Sequence, residues 1–231
     1  MSETSKTETA EVSAPAERER GILFVISSPS GGGKGTLVRR ILTHMPRLGY
    51  SVSWTTRAPR QGEVNGREYH FVTLEEFRAA RDRGEFLEWA SVHGNFYATS
   101  LKVVERELAA GRDIVLEIDV QGAASVRRIG IAAVSVFILP PSYEIMRRRL
   151  TGRQSENSDT LALRLQNSRG EMEHYREFDY VVLNDDVDRA ATQLASIVYA
   201  ERARRERQVR LAERILATFP RAEEISQPEH G

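Results

Sequence analysis

The 231-residue chain contains no cysteine. That excludes disulfides, thiolate metal sites and cysteine nucleophiles, and fits a reducing cytoplasm best. Net charge is also missing: 33 Lys and Arg stand against 33 Asp and Glu. No global field therefore draws the chain to nucleic acid or to an anionic membrane, and any polyanion must be held locally. Nor is there a run approaching the ~20 apolar residues that span a bilayer, or the apolar segment of a signal peptide at the start. A cytoplasmic protein bound to neither membrane nor nucleic acid is expected, with monomer and homo-oligomer both open. Hydrophobic residues at 40% and charged ones at 29% describe a globular chain, neither fibrous nor wholly disordered. Its length suggests one large domain or a domain with lobes.

Residues 1–20 hold no Leu, Ile or aromatic side chain and read as a tail; residues 221–231, polar with Pro228, read as a second frayed end. Between them, short apolar runs alternate with helical patterns. Ile22 to Ser27 is a continuous run suited to a strand buried on both faces, and Leu37, Ile41 and Leu42 follow at helical spacing. The alternation returns with strands at Ile114 to Ile118, Ala132 to Leu139 and Tyr180 to Leu183, and helices at Ala123 to Ile129 and around Val187 to Val198. The last of these is expected to run on through Glu201 to Arg207 as a solvated face. Leu211, Ile215 and Leu216 would pack on the core or on a second subunit. This β-then-α order predicts an α/β fold, a parallel sheet flanked by helices.

Two insertions interrupt it. Residues 55–99 carry short strand-like pieces (Glu68 to Phe71, Phe86 to Trp89, Asn95 to Tyr97) around a helix opened by a capping box, Thr73 and Glu76. Residues 150–161 form a polar stretch. The expected division is a core of residues 21–54, 100–149 and 162–220, an inserted lobe at 55–99 and a lid at 150–161.

The strongest local signal is Ser28-Pro29-Ser30-Gly31-Gly32-Gly33-Lys34-Gly35-Thr36, lying between the first strand and its helix. Small residues there let backbone N–H groups turn toward an anion, the helix N-terminus adds partial positive charge, and Lys34 can reach the β- and γ-phosphates of a nucleotide. The competing reading is an ordinary glycine-rich turn. Two positions depart from the general pattern: Ser28 replaces the first glycine, and Gly35 replaces the hydroxyl residue that usually follows the lysine and binds Mg²⁺. Thr36 is rotated by about 100° from that position. Mg²⁺ is therefore expected to be held chiefly by phosphates and water, with Asp119 as an outer acceptor.

Arg57 and Arg60, spaced three apart on a segment stiffened by Pro59, can present two guanidinium forks to one phosphate, with Tyr69 as a phenolic donor; they can equally be solvated loop charges. Glu88, between Leu87 and Trp89, is the odd carboxylate in an apolar strand, which alone suits a salt-bridged edge residue.

Taken together, the Ser28 to Thr36 loop, the stretch from Val52 to Tyr69, Glu88-Trp89 with Gly94-Asn95-Phe96-Tyr97, Ile118-Asp119-Val120-Gln121-Gly122 and Val182-Leu183-Asn184-Asp185-Asp186 resemble guanylate kinase from about Gly21 to about Ala200. The resemblance implies the phosphate-loop nucleoside monophosphate kinase fold, with a GMP-binding lobe, a lid and transfer of a phosphoryl group from ATP to GMP. It implies that Ser28 to Thr36 and Asn184 bind ATP, and that Arg57, Arg60, Tyr69 and Tyr97 hold the GMP phosphate. Ser53, Glu88 and Thr99 would surround the base, with Glu117 nearby. Lys34, Arg57, Arg149, Arg153 and Arg164 would be catalytic. Departures are Gln154 and Ser155 after Arg153, Glu117 where the family usually has Asp, and Thr99 for Ser. The alternatives are a non-catalytic binding module of the same fold and a kinase for another base.

Overall fold

The computed structural model describes residues 19–92, 94–151 and 158–221, with the backbone alone for 158–164. Five parallel strands form the main sheet, in the order β2 (Leu48–Tyr50), β7 (Asp113–Glu117), β1 (Leu23–Ser27), β8 (Val134–Leu139), β9 (Tyr180–Leu183). All five residues of β1 are buried, which is why its sequence is continuously apolar rather than alternating. Its side chains divide by parity. Phe24 and Ile26 join Leu37, Val38 and Ile41 of α1 (Lys34–Leu42) and Leu194 and Val198 of α7 (Val187–Arg202) on one face. Leu23 and Val25 join Val104 and Leu108 of α3 (Leu101–Ala109) and Ala123 and Val126 of α4 (Val120–Arg128) on the other. The expected α/β sandwich is present.

The insertion is a second sheet, ordered β4 (His70–Phe71), β3 (Trp54–Thr55), β6 (Asn95–Ser100), β5 (Phe86–Val92). β5 and β6 form an antiparallel hairpin longer than the sequence pattern suggested. β4 is shorter, because Glu68 accepts the Val64 N–H at 2.8 Å and is held in a turn. Helix α2 (Leu74–Asp82) starts with the expected capping box: Thr73 Oγ1 accepts the Glu76 N–H and Glu76 accepts the Thr73 N–H. Its Phe77 packs against Phe86 and Phe96 beneath the small sheet. Leu87 of β5 enters the main-sheet core, so the second sheet is rooted in the first.

After β8, α5 (Tyr143–Thr151) and α6 (Ser158–Glu173) flank the expected lid. Leu150, at its start, is buried in α5. At the C-terminus the long helix expected through residues 201–207 is instead two. α7 ends at Arg202 and α8 (Arg205–Leu216) begins after an extended Arg204. Glu201, expected on a solvated face, is buried and bonded to Arg204 and the Tyr180 hydroxyl. Leu211, Ile215 and Leu216, expected to find a packing partner, are exposed in this chain. Among the described residues no helix is long and apolar enough to cross a membrane.

Asp113 ties this end to the core. One carboxylate oxygen accepts the Ile22 N–H and the other accepts Arg202 Nε, each at 2.7 Å. Replacing Asp113 by Ala strands a buried amide and an arginine, so the variant is expected to lose on the order of 3 kcal/mol of stability, measured as a lower urea midpoint with turnover retained.

Candidate active site

Parallel packing brings the ends of β1 and β7 side by side, Ile26 opposite Glu117, and both chains turn there into helices. After β1 the glycine loop leads into α1, with Gly31 at φ 81° and Gly33 at φ 91°, a left-handed backbone that side-chain-bearing residues rarely adopt. A Cβ at Gly33 would also lie 2.3 Å from Asn184 Nδ2. Asn184, following β9, donates from Nδ2 to the Gly32 carbonyl at 2.8 Å, while its buried Oδ1 is without a partner among the described residues. Arg149 of α5 donates to the Asn184 carbonyl at 2.9 Å; Arg147 and Arg148 beside it are exposed. Lys34 opens α1, and among the described residues it has no ion-pair partner. Thus Asn184 and Arg149 stand at the loop. Arg153 and the side chain of Arg164 lie outside the described residues.

The absence of a hydroxyl at Gly35 has a structural reason. A Cβ there would lie 2.9 Å from Glu117 Oε1 and 3.3 Å from Oε2. The longer acid and the missing side chain are two parts of one fit. Thr36 is exposed on α1. Asp119, expected to serve a metal from outside, uses Oδ1 to cap α4 at the Gly122 N–H, 2.8 Å away.

Glu88 owes its direction to a bulge. The β5–β6 register shifts between Phe86 and Glu88, so Leu87 and Glu88 are both buried in succession, and the bulge turns the carboxylate inward. Glu88 is 6% exposed. Thr99, opposite it on β6, donates its hydroxyl to Oε1 at 2.7 Å, and Oε2 faces Gly122. Burial pushes the carboxyl up to about 7; the Thr99 hydrogen bond opposes this and the charge of Asp119 adds to it. The edge-strand ion pair considered for Glu88 is therefore replaced by a buried acid with a hydroxyl partner. Ser53, just before β3, is buried too.

The arginine cluster lies at the other end of the lobe. Arg57 is chelated by Glu63, Nη1 to Oε2 at 3.0 Å and Nη2 to Oε1 at 2.9 Å, and its guanidinium lies over Tyr69. Tyr69 and Tyr97 meet edge to face at 5.8 Å. Burial pulls Arg57 down, but Glu63 and Tyr97 outweigh it and hold the guanidinium above its ordinary range. Glu63 also accepts the Arg60 N–H at 2.7 Å, and despite partial burial its carboxyl lies below the usual range because of Arg57. Tyr69 is pushed up to about 12, first by burial and then by the charge of Glu117.

Sequence reasoning missed Glu63, and also Glu171 of α6, which accepts the Ser30 N–H in the loop at 2.8 Å. Both lie in polar stretches where one more glutamate carries no signal. The position of Glu63, three residues after Arg60, was the only available hint.

Two expected outcomes follow. Gly35→Ser places a side chain where Glu117 sits, so activity should fall while folding survives, and adding Glu117→Asp should restore part of it; kcat/KM of the single and double variants checks this. Above pH 7 the buried Glu88 is ionised at a cost. Between the ordinary carboxylate range, near 4.5, and about 7 the folded chain binds the proton more tightly than the unfolded chain, so the contribution of this group to stability falls as pH rises through that window. Glu88→Gln should raise Tm at pH 8 relative to the parent, with a smaller difference at pH 5.

The guanylate kinase family profile matches residues 20–201. Guanylate kinase of Aromatoleum aromaticum is 55% identical over 184 residues, covering 80% of this chain and 90% of its own. That of Dechloromonas aromatica is 52% identical over 200 residues, 85% of this chain and 99% of its own. A crystal structure of guanylate kinase from Anaplasma phagocytophilum is similar with a TM-score of 0.73 at 36% identity, covering 88% of this chain and 98% of that one. A glycine loop at the end of β1, a buried acid facing α4 and an arginine chelated by glutamate beside two tyrosines thus occur in a chain that belongs to the guanylate kinase family.

Proposed function

We propose that the protein transfers the γ-phosphoryl group of ATP to GMP, giving ADP and GDP. The observation that carries this reading is the buried Glu88 with its Thr99 partner. Guanine presents N1–H and N2–H₂ as adjacent donors, which one carboxylate accepts together, and O6 as an acceptor for a hydroxyl such as Ser53. Adenine offers a lone pair at N1 and would leave Glu88 unpaired, at a cost of about 1 to 3 kcal/mol or more.

On this reading Ser28 to Thr36 and Asn184 bind ATP, the unpartnered Asn184 Oδ1 being free to accept from the nucleotide. Arg57, Arg60, Tyr69 and Tyr97 hold the GMP phosphate, and Glu117 stands between the two nucleotides. An oxygen of that phosphate, already anionic, attacks the γ-phosphorus in line as the bond to the ADP oxygen breaks, so no side chain need act as general base. Lys34 and Arg149, with Arg153 and Arg164 from the lid at 150–161, stabilise the charge spread over the equatorial oxygens. Closure of lobe and lid on both substrates together excludes water and avoids ATP hydrolysis.

Mg²⁺, when bound, neutralises charge on the transferring phosphates. The donor set suits an ion held mainly by those phosphates: position 35 has no hydroxyl, Glu117 and Asp119 are carboxylates at the end of β7, and among the described residues no cluster of His, Asp and Glu could hold a metal alone. Glu117 and Asp119 would act on its water shell.

ADP production measured side by side with GMP, AMP, CMP and UMP tests the reading. Turnover restricted to GMP is expected; no turnover would indicate a binding module, and AMP preference a kinase for another base. Since the proton on Glu88 must leave before it can accept from guanine, KM for GMP should rise as pH falls below about 7 and level off above it. Glu88→Gln should abolish that pH dependence while raising KM.

A further inference from the structure

At the edge of the main sheet opposite the glycine loop lies a cavity of about 900 Å³, within the roughly 300 to 1,000 Å³ of small-molecule clefts. The loop follows β1 at the C-terminal ends of the strands, level with Glu117, whereas the cavity is lined by Pro46 and Arg47, just before β2, and by Gly111 and Asp113, at the start of β7. The length of β7, about 13 Å from Asp113 to Glu117, separates the two places. Five arginines converge on the cavity: Arg47, Arg202 at the end of α7, and Arg207, Arg210 and Arg214 from α8. On α8 their spacing of three and four puts them on one face. The carboxylates lining it are Glu19, Asp113 and Glu213, so positive charge is in excess.

Only part of that charge is neutralised. Arg202 is paired with Asp113 at 2.7 Å. Arg47 and Arg207 donate to the carbonyls of Gly111 and Arg20, which leave the charge of a guanidinium in place. Arg214 has no ion pair among the described residues. Arg47 is also held at φ 62°, the only non-glycine residue with a positive φ among the described residues, a costly conformation that folds keep where it aims a group.

We propose that this cavity is a second binding site, remote from the glycine loop, for a polyphosphate, either free or carried on a nucleotide. The chemistry follows from the donor set. A guanidinium fork matches phosphate oxygens two at a time and keeps its proton at any working pH. Like charges gathered round one concavity repel one another until a polyanion enters. A monoanion satisfies a single fork, whereas a chain of phosphates can engage several at once. Pro46 and Leu211 add an apolar strip to the wall, on which the base of a nucleotide can rest. The site goes beyond the GMP kinase reading, since no residue lining it takes part in that reaction.

Calorimetric titration of the full chain with sodium tripolyphosphate, at low salt and without metal, reads the site directly. Two binding events are expected for the parent, one at the glycine loop and one in the cavity. Arg210→Gln combined with Arg214→Gln should abolish one event or weaken it by about tenfold, the scale of a hydrogen bond to a charged group. Tm, kcat and both KM values should stay at the parent's level. Lys34→Ala should weaken the other event instead, and added salt should weaken both. Because α8 has no buried residue, the arginine changes leave the core untouched; Arg214→Glu, which reverses one charge, is a second route to the same loss. ATP titrated without metal in the same series distinguishes the sources. Two ATP events, one of them sensitive to the α8 arginines, identify a nucleotide site, and one ATP event beside two for tripolyphosphate identifies a site for the free anion. A single tripolyphosphate event indifferent to the α8 arginines, or a second event that persists unchanged in the double variant, would overturn the proposal.

Discussion

Everything in the site is referred to one crowded contact, the Glu117 carboxylate against the bare backbone of Gly35. It exists because β1 and β7 are adjacent parallel strands ending at the same level, so the loop after one and the acid closing the other must share space. A side chain at position 35 and a glutamate at position 117 exclude each other as they stand. The bare backbone at position 35 leaves room for the longer acid, and a side chain there would require the end of Glu117 to move.

A second constraint acts at Glu88. Burying a carboxylate without a cation is unfavourable, and Glu88 has only a hydroxyl and the neighbourhood of another acid. The fold tolerates this because the bulge in β5 leaves the side chain nowhere else to go, while Leu87, on the opposite side, is anchored in the main core. On the proposed reading, stability given up at this residue makes a neutral, donor-rich base edge its best partner.

Four of the five main-sheet strands were legible as short apolar runs, and helices as ordinary spacing and, at Thr73, a capping box; β2 (Leu48–Tyr50), three residues long, left no such run. The loop and the buried acid were legible as odd residues in regular surroundings. What escaped were contacts made across long sequence distances. Nothing near Ser30 points to Glu171. The break between α7 and α8 was hidden for a similar reason. Residues 201–207 are all compatible with a helix, and the chain turns because Arg202 is drawn to Asp113 while Arg204 folds back on Glu201. The bulge at Leu87 has no glycine or proline to announce it.

Glu63 chelates Arg57, and Glu171 occupies an amide of the glycine loop. On the proposed reading, these carboxylates cover part of the surface that receives the phosphates. Arrival of a nucleotide is then a counterion exchange more than the filling of an empty positive cavity: Glu63 and Glu171 must release their partners as the phosphates take their place.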